Sequence, residues 1–238
     1  QEESLTRMFM VTRFYPGNCP PSIVPREKPR ARGKLQSRGA CTNVVEMKPR
    51  PVVTMPSTKL PMDLLLRGGT LVTCDPNDRV LEGDLLISQG RIRALGPDAR
   101  RAVAGGPVHV LDARGCVVMP GLVQAHVHLC QVLFRGMADD LPLLDWLRER
   151  IWPLEAAHDP DSLRASADLG ITELILGGTT CILDMGTVHH HDAVFEALRD
   201  AGLRAVSGKT MMDAGEGVPR GLREGTDESL RASEELCE

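Results

Sequence analysis

An apolar, β-branched run at Val117-Val118 is broken by Met119-Pro120-Gly121, resumes at Leu122-Val123 and ends on His126-Val127-His128. Proline and glycine break the apolar run, and the extended segment that resumes after them carries imidazoles at i and i+2. Alternate side chains of a strand face the same way. His126 and His128 therefore project together, roughly 7 Å apart at the backbone, and both rings can reach one ion at a zinc–nitrogen distance of about 2.0–2.1 Å. Two imidazoles do not complete a catalytic zinc, which takes three protein ligands and keeps a position open for water. A lone His-x-His also arises by chance, so its meaning depends on its surroundings.

After His128 the apolar period changes. Residues 141–151 and 162–176 place apolar side chains at helical spacing, with Asp159-Pro160-Asp161 as a start signal for the second and Gly177-Gly178 as its stop. Thr179–Met185 predicts a strand, 193–200 a helix, 203–212 a strand and 227–236 a helix. Strand and helix in alternation is the pattern of parallel βα units. Upstream, residues 62–118 hold short apolar runs between Gly, Pro and Asp clusters, such as Leu64-Leu65-Leu66 and Asp84-Leu85-Leu86-Ile87. These predict hairpins of an antiparallel sheet. The Asp75-Pro76-Asn77-Asp78 cluster is explained by turn chemistry, without a calcium ion.

Charge is unevenly distributed. Residues 1–61 hold 9 of the 17 prolines and 11 basic against 4 acidic residues, whereas 62–238 hold 17 basic against 28 acidic, so the net charge of −4 averages a basic arm and an acidic body. Pro16, Pro20, Pro21, Pro25 and Pro29 forbid a helix, and the low apolar content cannot offset ordering entropy, so the arm is expected to be disordered. Met62 directly precedes the first strand, and the protein is expected to start at Met55 or Met62, the residues before being an upstream extension of the reading frame. The basic residues are dispersed and mostly distant from Phe9, Phe14 and Tyr15, which argues against a nucleic-acid surface. No apolar run approaches the ~18–20 residues of a membrane span, and residues 8–11 are too few for a secretory leader. Seven scattered cysteines with no Cys-x-x-Cys pair read as reduced side chains of a cytoplasmic protein. The His-x-Glu and Pro-Cys-x-x-Cys set of cytidine-deaminase-type enzymes is absent from the sequence.

Asp112-Ala113-Arg114-Gly115, the run from 117 to 121 and His126-x-His128 together resemble the first-strand signature of the amidohydrolase superfamily. The similarity continues through Phe134-Arg135-Gly136 and Trp146 to Trp152-Pro153-Leu154-Glu155, over roughly residues 62–238. It is a resemblance to the branch of adenosine-derivative deaminases, which act on methylthioadenosine, S-adenosylhomocysteine or 5'-deoxyadenosine, with guanine deaminases and triazine chlorohydrolases as neighbours. The fold this implies is α/β: the N-terminal part of a metal-dependent (β/α)8 TIM barrel preceded by a small β-sandwich domain. Residues 1–61 would be the arm, 62–118 the sandwich portion and 119–238 the first three or so βα units. A barrel needs eight units and typically ~250 residues, so the chain is expected to be a fragment, with the remaining metal ligands and the acid/base residues beyond residue 238. The resemblance further implies Zn2+, Fe2+ or another divalent ion on His126 and His128, hydrolysis of a purine nucleoside to its inosine derivative and ammonia, and a homo-oligomeric full-length protein.

Four more residues are candidates for substrate binding. By resemblance, Glu155 takes the ribose hydroxyls, a task that suits a carboxylate accepting two hydrogen bonds; the plainer reading is a solvated charge at a helix start. Trp152 either stacks on the purine or, at helical spacing from Trp146, belongs to the core. His189-His190-His191-Asp192 follows a strand end, where barrel loops line the substrate entrance, and His190 stands for contact by this triplet against its reading as a first helical turn. Lys209 is the only lysine after residue 59. Gly208-Lys209-Thr210 lacks the glycine a phosphate loop needs, since Leu203 stands there. In the resembled deaminases an arginine falls at this place, at the substrate's 5' side; lysine offers a point charge instead of a bidentate clamp, which predicts a preference for small 5' groups. The alternatives are a guanine deaminase or triazine-type chlorohydrolase, with the same metal and no need of a ribose carboxylate, and a non-catalytic truncated barrel relative.

Overall fold

The computed structural model describes residues 9–13, 62–137 and 140–236. Strands β2 (Asp63–Val72), β3 (Val80–Ser88) and β4 (Arg91–Gly96) form the expected antiparallel meander. The other edge of β2 takes β5 (Val108–Asp112) and then β6 (Cys116–Pro120), both parallel to it. Turn signals report only local reversals, so these parallel pairings were not among the expectations. The leucine runs are continuous because this sheet is covered on both sides. Leu66, Leu71, Leu85 and Val118 are buried on one side, while Leu65 and Leu86 pack against Ala99 of a short 3-10 helix on the other. Between Leu66 and Gly69 the register shifts, and Gly68 takes φ +72° there, a conformation open to glycine at little steric cost. Its N–H donates to Asp84 Oδ1 at 2.8 Å.

A further strand, β1 (Phe9–Arg13), runs antiparallel along β6, from Phe9 opposite Pro120 to Arg13 opposite Cys116. This corrects the expectation of disorder at these five residues. β6 meets β2 at only two residue pairs, which leaves edge backbone groups in need of partners, and the Phe-Met-Val-Thr run of the arm has no proline to prevent pairing. The rest of the arm, including Met55, lies outside the described residues.

Past Gly121 the chain enters a second sheet of three parallel strands in the order β7 (Leu122–Val127), β8 (Thr179–Met185), β9 (Arg204–Gly208). Between β7 and β8 lie a 3-10 helix (Leu129–Phe134), α1 (Leu143–Trp146), a π-helical turn (Leu147–Ile151), α2 (Trp152–Ala156) and α3 (Pro160–Leu176). α4 (His191–Ala201) joins β8 to β9, and α5 (Thr226–Glu235) follows. Asp159 caps α3: its carboxylate accepts from Ser162 N at 2.8 Å, and Ser162 Oγ receives the Asp159 N–H at 3.0 Å. α3 buries Leu163, Ser166, Ala167, Gly170 and Ile171, positions that recur at helical spacing, and they meet Ile182, Val194 and Leu198 in one core. The strand expected over 203–212 stops at Gly208, because Thr210 turns away to bond Thr187 O through its N–H and Gly186 O through its hydroxyl. The opposite face of this sheet exposes Val123, Leu183 and Val206. Cys116 and Cys130 are buried, while Cys74 is exposed. No described helix is long and apolar enough to cross a membrane.

Candidate active site

The two histidines are aimed by an irregularity in β7. Gln124 pairs with Ile182 and Val127 with Asp184, so three steps along β7 match two along β8. A regular strand would put Gln124 and His126 on one face. The extra residue instead lets Val127 pack against the helix-covered core, and its neighbours His126 and His128 turn to the open face. Re-aiming a side chain is what such a bulge does.

His126 Nε2 and His128 Nε2 lie 3.1 Å apart, the rings edge to face with centroids 4.7 Å apart. His128 Nδ1 stands 3.0 Å from Met185 O. A carbonyl only accepts, so Nδ1 carries the ring proton and Nε2 presents a lone pair. Two imidazole nitrogens this close need a proton between them or a cation shared by both. Ligands about 2.0–2.1 Å from one tetrahedral ion stand roughly 3.4 Å apart, so a slight opening of the pair admits a divalent ion. Among the described residues no group of three His, Cys, Asp or Glu side chains comes together around a possible metal position; the chain supplies this pair there.

His128 and Gln131 line one open cleft of about 320 Å³, together with Phe134, Arg135, Trp146 and Ile151. Gln131 Nε2 donates to Glu155 Oε1 at 2.9 Å, and the Cys130 thiol reaches the same oxygen at 3.5 Å. Glu155 is thus held beside the cleft by one of its two oxygens. Burial, then the charges of Glu155 and Asp184, push the Cys130 thiol far up from its ordinary range, so this sulfur is a hydrogen-bond donor and not a nucleophile. His158 bonds Cys130 O at 2.8 Å and Ser162 Oγ at 3.0 Å while stacking on Phe134, which makes it a tie between the 3-10 helix and α3. Trp152 is half-buried and lines neither this cleft nor the cavity described next; the tryptophan on the cleft wall is Trp146, one side of the π-helical turn.

His190 and Lys209 lie on a separate cavity of about 290 Å³ with His189, Asp192 and Glu224. His190 is exposed, in the left-handed conformation (φ 60°) just before α4. Lys209 is 4% exposed in its side chain, and Nζ lies 2.8 Å from both Glu224 oxygens, 3.2 Å from Ser229 Oγ and 3.1 Å from Thr210 O. Its charge is met within the protein. Of the candidates His128 alone lines the cleft; His126 adjoins it through His128 and Glu155 through Gln131, while His190 and Lys209 lie apart on the other cavity.

Three features of the site were not among the candidates. The Met185 carbonyl has no sequence signal, since every residue carries one. Gln131 was visible only as a polar residue among apolar ones. Asp184 did have a signal: it is a lone carboxylate in the apolar run Thr-Thr-Cys-Ile-Leu-Asp-Met, and it is 2% exposed.

Residues 117–238 match the amidohydrolase family. Over 152 residues the chain is 44% identical to the 5-methylthioadenosine/S-adenosylhomocysteine deaminase of Syntrophobacter fumaroxidans, an alignment covering 63% of this chain and 34% of that protein. Among solved structures, an adenosine deaminase from Xanthomonas campestris with bound zinc superposes with a TM-score of 0.64 at 35% identity, covering 74% of this chain and 39% of that one. The Escherichia coli guanine deaminase does so with a TM-score of 0.62 at 30% identity, covering 74% and 42%. The chain thus spans 34% to 42% of the length of these proteins.

Proposed function

The chain belongs to the amidohydrolase family, and on that premise we propose that it forms the N-terminal portion of a metal-dependent aminohydrolase that converts a 5'-modified adenosine to the inosine derivative and ammonia. The observation that carries this reading is the convergence of His126 Nε2 and His128 Nε2 at 3.1 Å, beside a cleft lined by His128 and by Gln131, the hydrogen-bond partner of Glu155. Residues 62–118 are read as part of a β-sandwich and 119–238 as the first βα units of a TIM barrel, whose interior Val123, Leu183 and Val206 would help to fill.

His126 and His128 would hold the ion, zinc or another divalent metal; zinc is the ion bound in the similar adenosine deaminase. When bound, such an ion supplies activation of water for hydrolysis. The protonated Nδ1 of His128, fixed on Met185 O, keeps that ring in the metal-binding tautomer. Glu155 is engaged at Oε1, which leaves Oε2 to accept from a ribose diol. Trp146, on the cleft wall, is better placed than Trp152 to meet a purine ring. Because Lys209 lies on the separate cavity and is neutralised by Glu224, it offers no spare ammonium to a carboxylate on the 5' substituent. The preferred substrate is therefore a nucleoside with a small, uncharged 5' group, 5'-deoxyadenosine or methylthioadenosine over S-adenosylhomocysteine. Guanine or a triazine would leave Glu155 without a diol to bind.

Glu155→Gln tests this in the full-length, metal-loaded protein. The amide retains the shape and loses charge assistance, worth roughly 1.5–3 kcal/mol for bonds to charged groups, so kcat/KM for 5'-deoxyadenosine should fall about ten- to a hundredfold. Activity on a free base should hardly change. An equal loss on nucleoside and base would show that Glu155 does not read the ribose.

A further inference from the structure

Behind the histidine pair, on the helix-covered side of the parallel sheet, a chain of buried polar groups has no part in the chemistry described so far. Asp184 on β8 is 2% exposed and His191 at the start of α4 is 2% exposed. Asp184 Oδ1 accepts the Leu129 N–H at 2.8 Å, and Asp184 Oδ2 accepts the Ser207 hydroxyl at 2.7 Å. His191 Nε2 stands 2.9 Å from that same Ser207 oxygen.

The direction of every bond is set. A carboxylate only accepts, so Ser207 spends its single proton on Asp184 and must itself accept from His191 Nε2–H. His191 then keeps its proton on Nε2, leaving Nδ1 buried with no hydrogen-bond partner. Burial lowers the pKa of this ring and favours its neutral form. The grouping contains Ser, His and Asp but cannot act as a nucleophilic triad, because the hydroxyl donates to the acid instead of to the base. The His191 ring also lies against Gly186, where an added Cβ would meet both the ring and, at 2.7 Å, Gly208 O.

What the relay grips is the backbone next to the histidine pair. Leu129 N, held by Asp184, follows directly on His128, and Met185, whose carbonyl holds His128 Nδ1, follows directly on Asp184. Val127, Asp184 and Ser207 are neighbours across the sheet, so the relay ties the ends of β7, β8 and β9 together at one level.

We propose that Asp184, oriented by Ser207 and His191, is the positioning residue of the metal centre: it fixes the His128–Leu129 corner so that His128 Nε2 faces His126 Nε2. This rests on the metal reading given above. Asp184→Asn would break the donor order: an amide nitrogen turned toward Leu129 sets a donor against a donor, and one turned toward Ser207 makes that hydroxyl accept, so that its proton must go to His191 instead. Ser207→Ala is milder, removing the link between Asp184 and His191, and Ser207→Thr restores the hydroxyl.

The test uses full-length protein loaded with cobalt(II), with affinity measured by chelator competition, the visible absorption spectrum and the thermal midpoint without metal. Outer partners of metal ligands are typically worth about ten- to a hundredfold in metal affinity. Asp184→Asn and Ser207→Ala should weaken cobalt binding by about that factor and change the spectrum, while Ser207→Thr stays within about threefold of the wild type. If Ser207→Ala and Asp184→Asn lower the thermal midpoint but leave affinity and spectrum unchanged, the relay only supports the fold and the proposal is wrong. If the wild type binds no cobalt, the metal reading fails and this proposal fails with it. If cobalt binds normally to the wild type and to all three variants, the metal reading stands and this proposal alone is overturned.

Discussion

His126→Ala or His128→Ala in the full-length protein should remove both the bound metal and turnover, with each variant remaining folded. His126 is exposed and His128 half-buried, and neither belongs to the buried core, so neither truncation leaves a cavity in the interior. Loss of either imidazole halves what the described residues donate to the ion. A thousandfold loss of affinity, on the order of 4 kcal/mol, is a modest expectation, and activity should fall to the level of metal-free protein. Elemental analysis after dialysis, with circular dichroism as the check on folding, measures both halves of this expectation. His128→Ala should have one further effect, because it also strips Met185 O of its donor. A variant of either residue that keeps one metal per chain and normal turnover would remove the pair from the metal site.

The second large effect concerns stability. Lys209→Met leaves Glu224 buried without its cation, and breaking a buried pair by removing one partner typically costs about 3–5 kcal/mol. Both side chains are 4% exposed. The pair joins the end of β9 to the segment before α5, and Ser229 of α5 donates to Glu224 at 2.8 Å, so the loss should be felt as a loosening of α5. Lys209→Met/Glu224→Leu should recover much of the stability, because replacing both members by apolar groups avoids the unpaired charge. Acid should act in the same direction. Burial alone would raise the Glu224 carboxyl, but hydrogen bonds from Lys209 and Ser229, the Lys209 charge and the Met212 N–H together hold it below its ordinary value. Since the folded value lies below the unfolded one, the contribution is complete above the ordinary carboxylate range and is lost as pH falls through the folded value. Thermal midpoints measured from neutral to acid pH should therefore drop for the wild type and flatten for the double variant. A Lys209→Met midpoint within a degree or two of the wild type would show that the pair is not structural.

How far the sequence could be read varied with the range of the interaction. The parallel βα units, the capping of α3 by Asp159 and the strand Thr179–Met185 were all legible, because hydrophobic period and capping residues are local signals. The pairing of β2 with β5 and β6 was not legible, because it joins residues 45 to 47 positions apart. Nor was β1, whose five residues sit in a proline-rich arm and pair more than a hundred residues away. At the site, His126 and His128 stood out because two titratable side chains share one short stretch. Even so, simple alternation from Gln124 would have turned His126 the wrong way, and only the ladder reveals the bulge that corrects it. Glu155 was marked by the run Trp-Pro-Leu-Glu, but its partner Gln131 comes from another element. Lys209 stood out as an isolated lysine among arginines, and what could not be read was Glu224, fifteen residues on, which meets its charge.

Steady-state kinetics of the full-length, zinc-loaded protein on 5'-deoxyadenosine, methylthioadenosine, S-adenosylhomocysteine and guanine, with ammonia release as the readout, bears most directly on the proposed activity. The expected result is turnover of the three nucleosides, with kcat/KM higher for the two that lack a carboxylate and negligible for guanine. Better turnover of S-adenosylhomocysteine would contradict the role given to the Lys209–Glu224 pair, and turnover of guanine alone would contradict the nucleoside assignment.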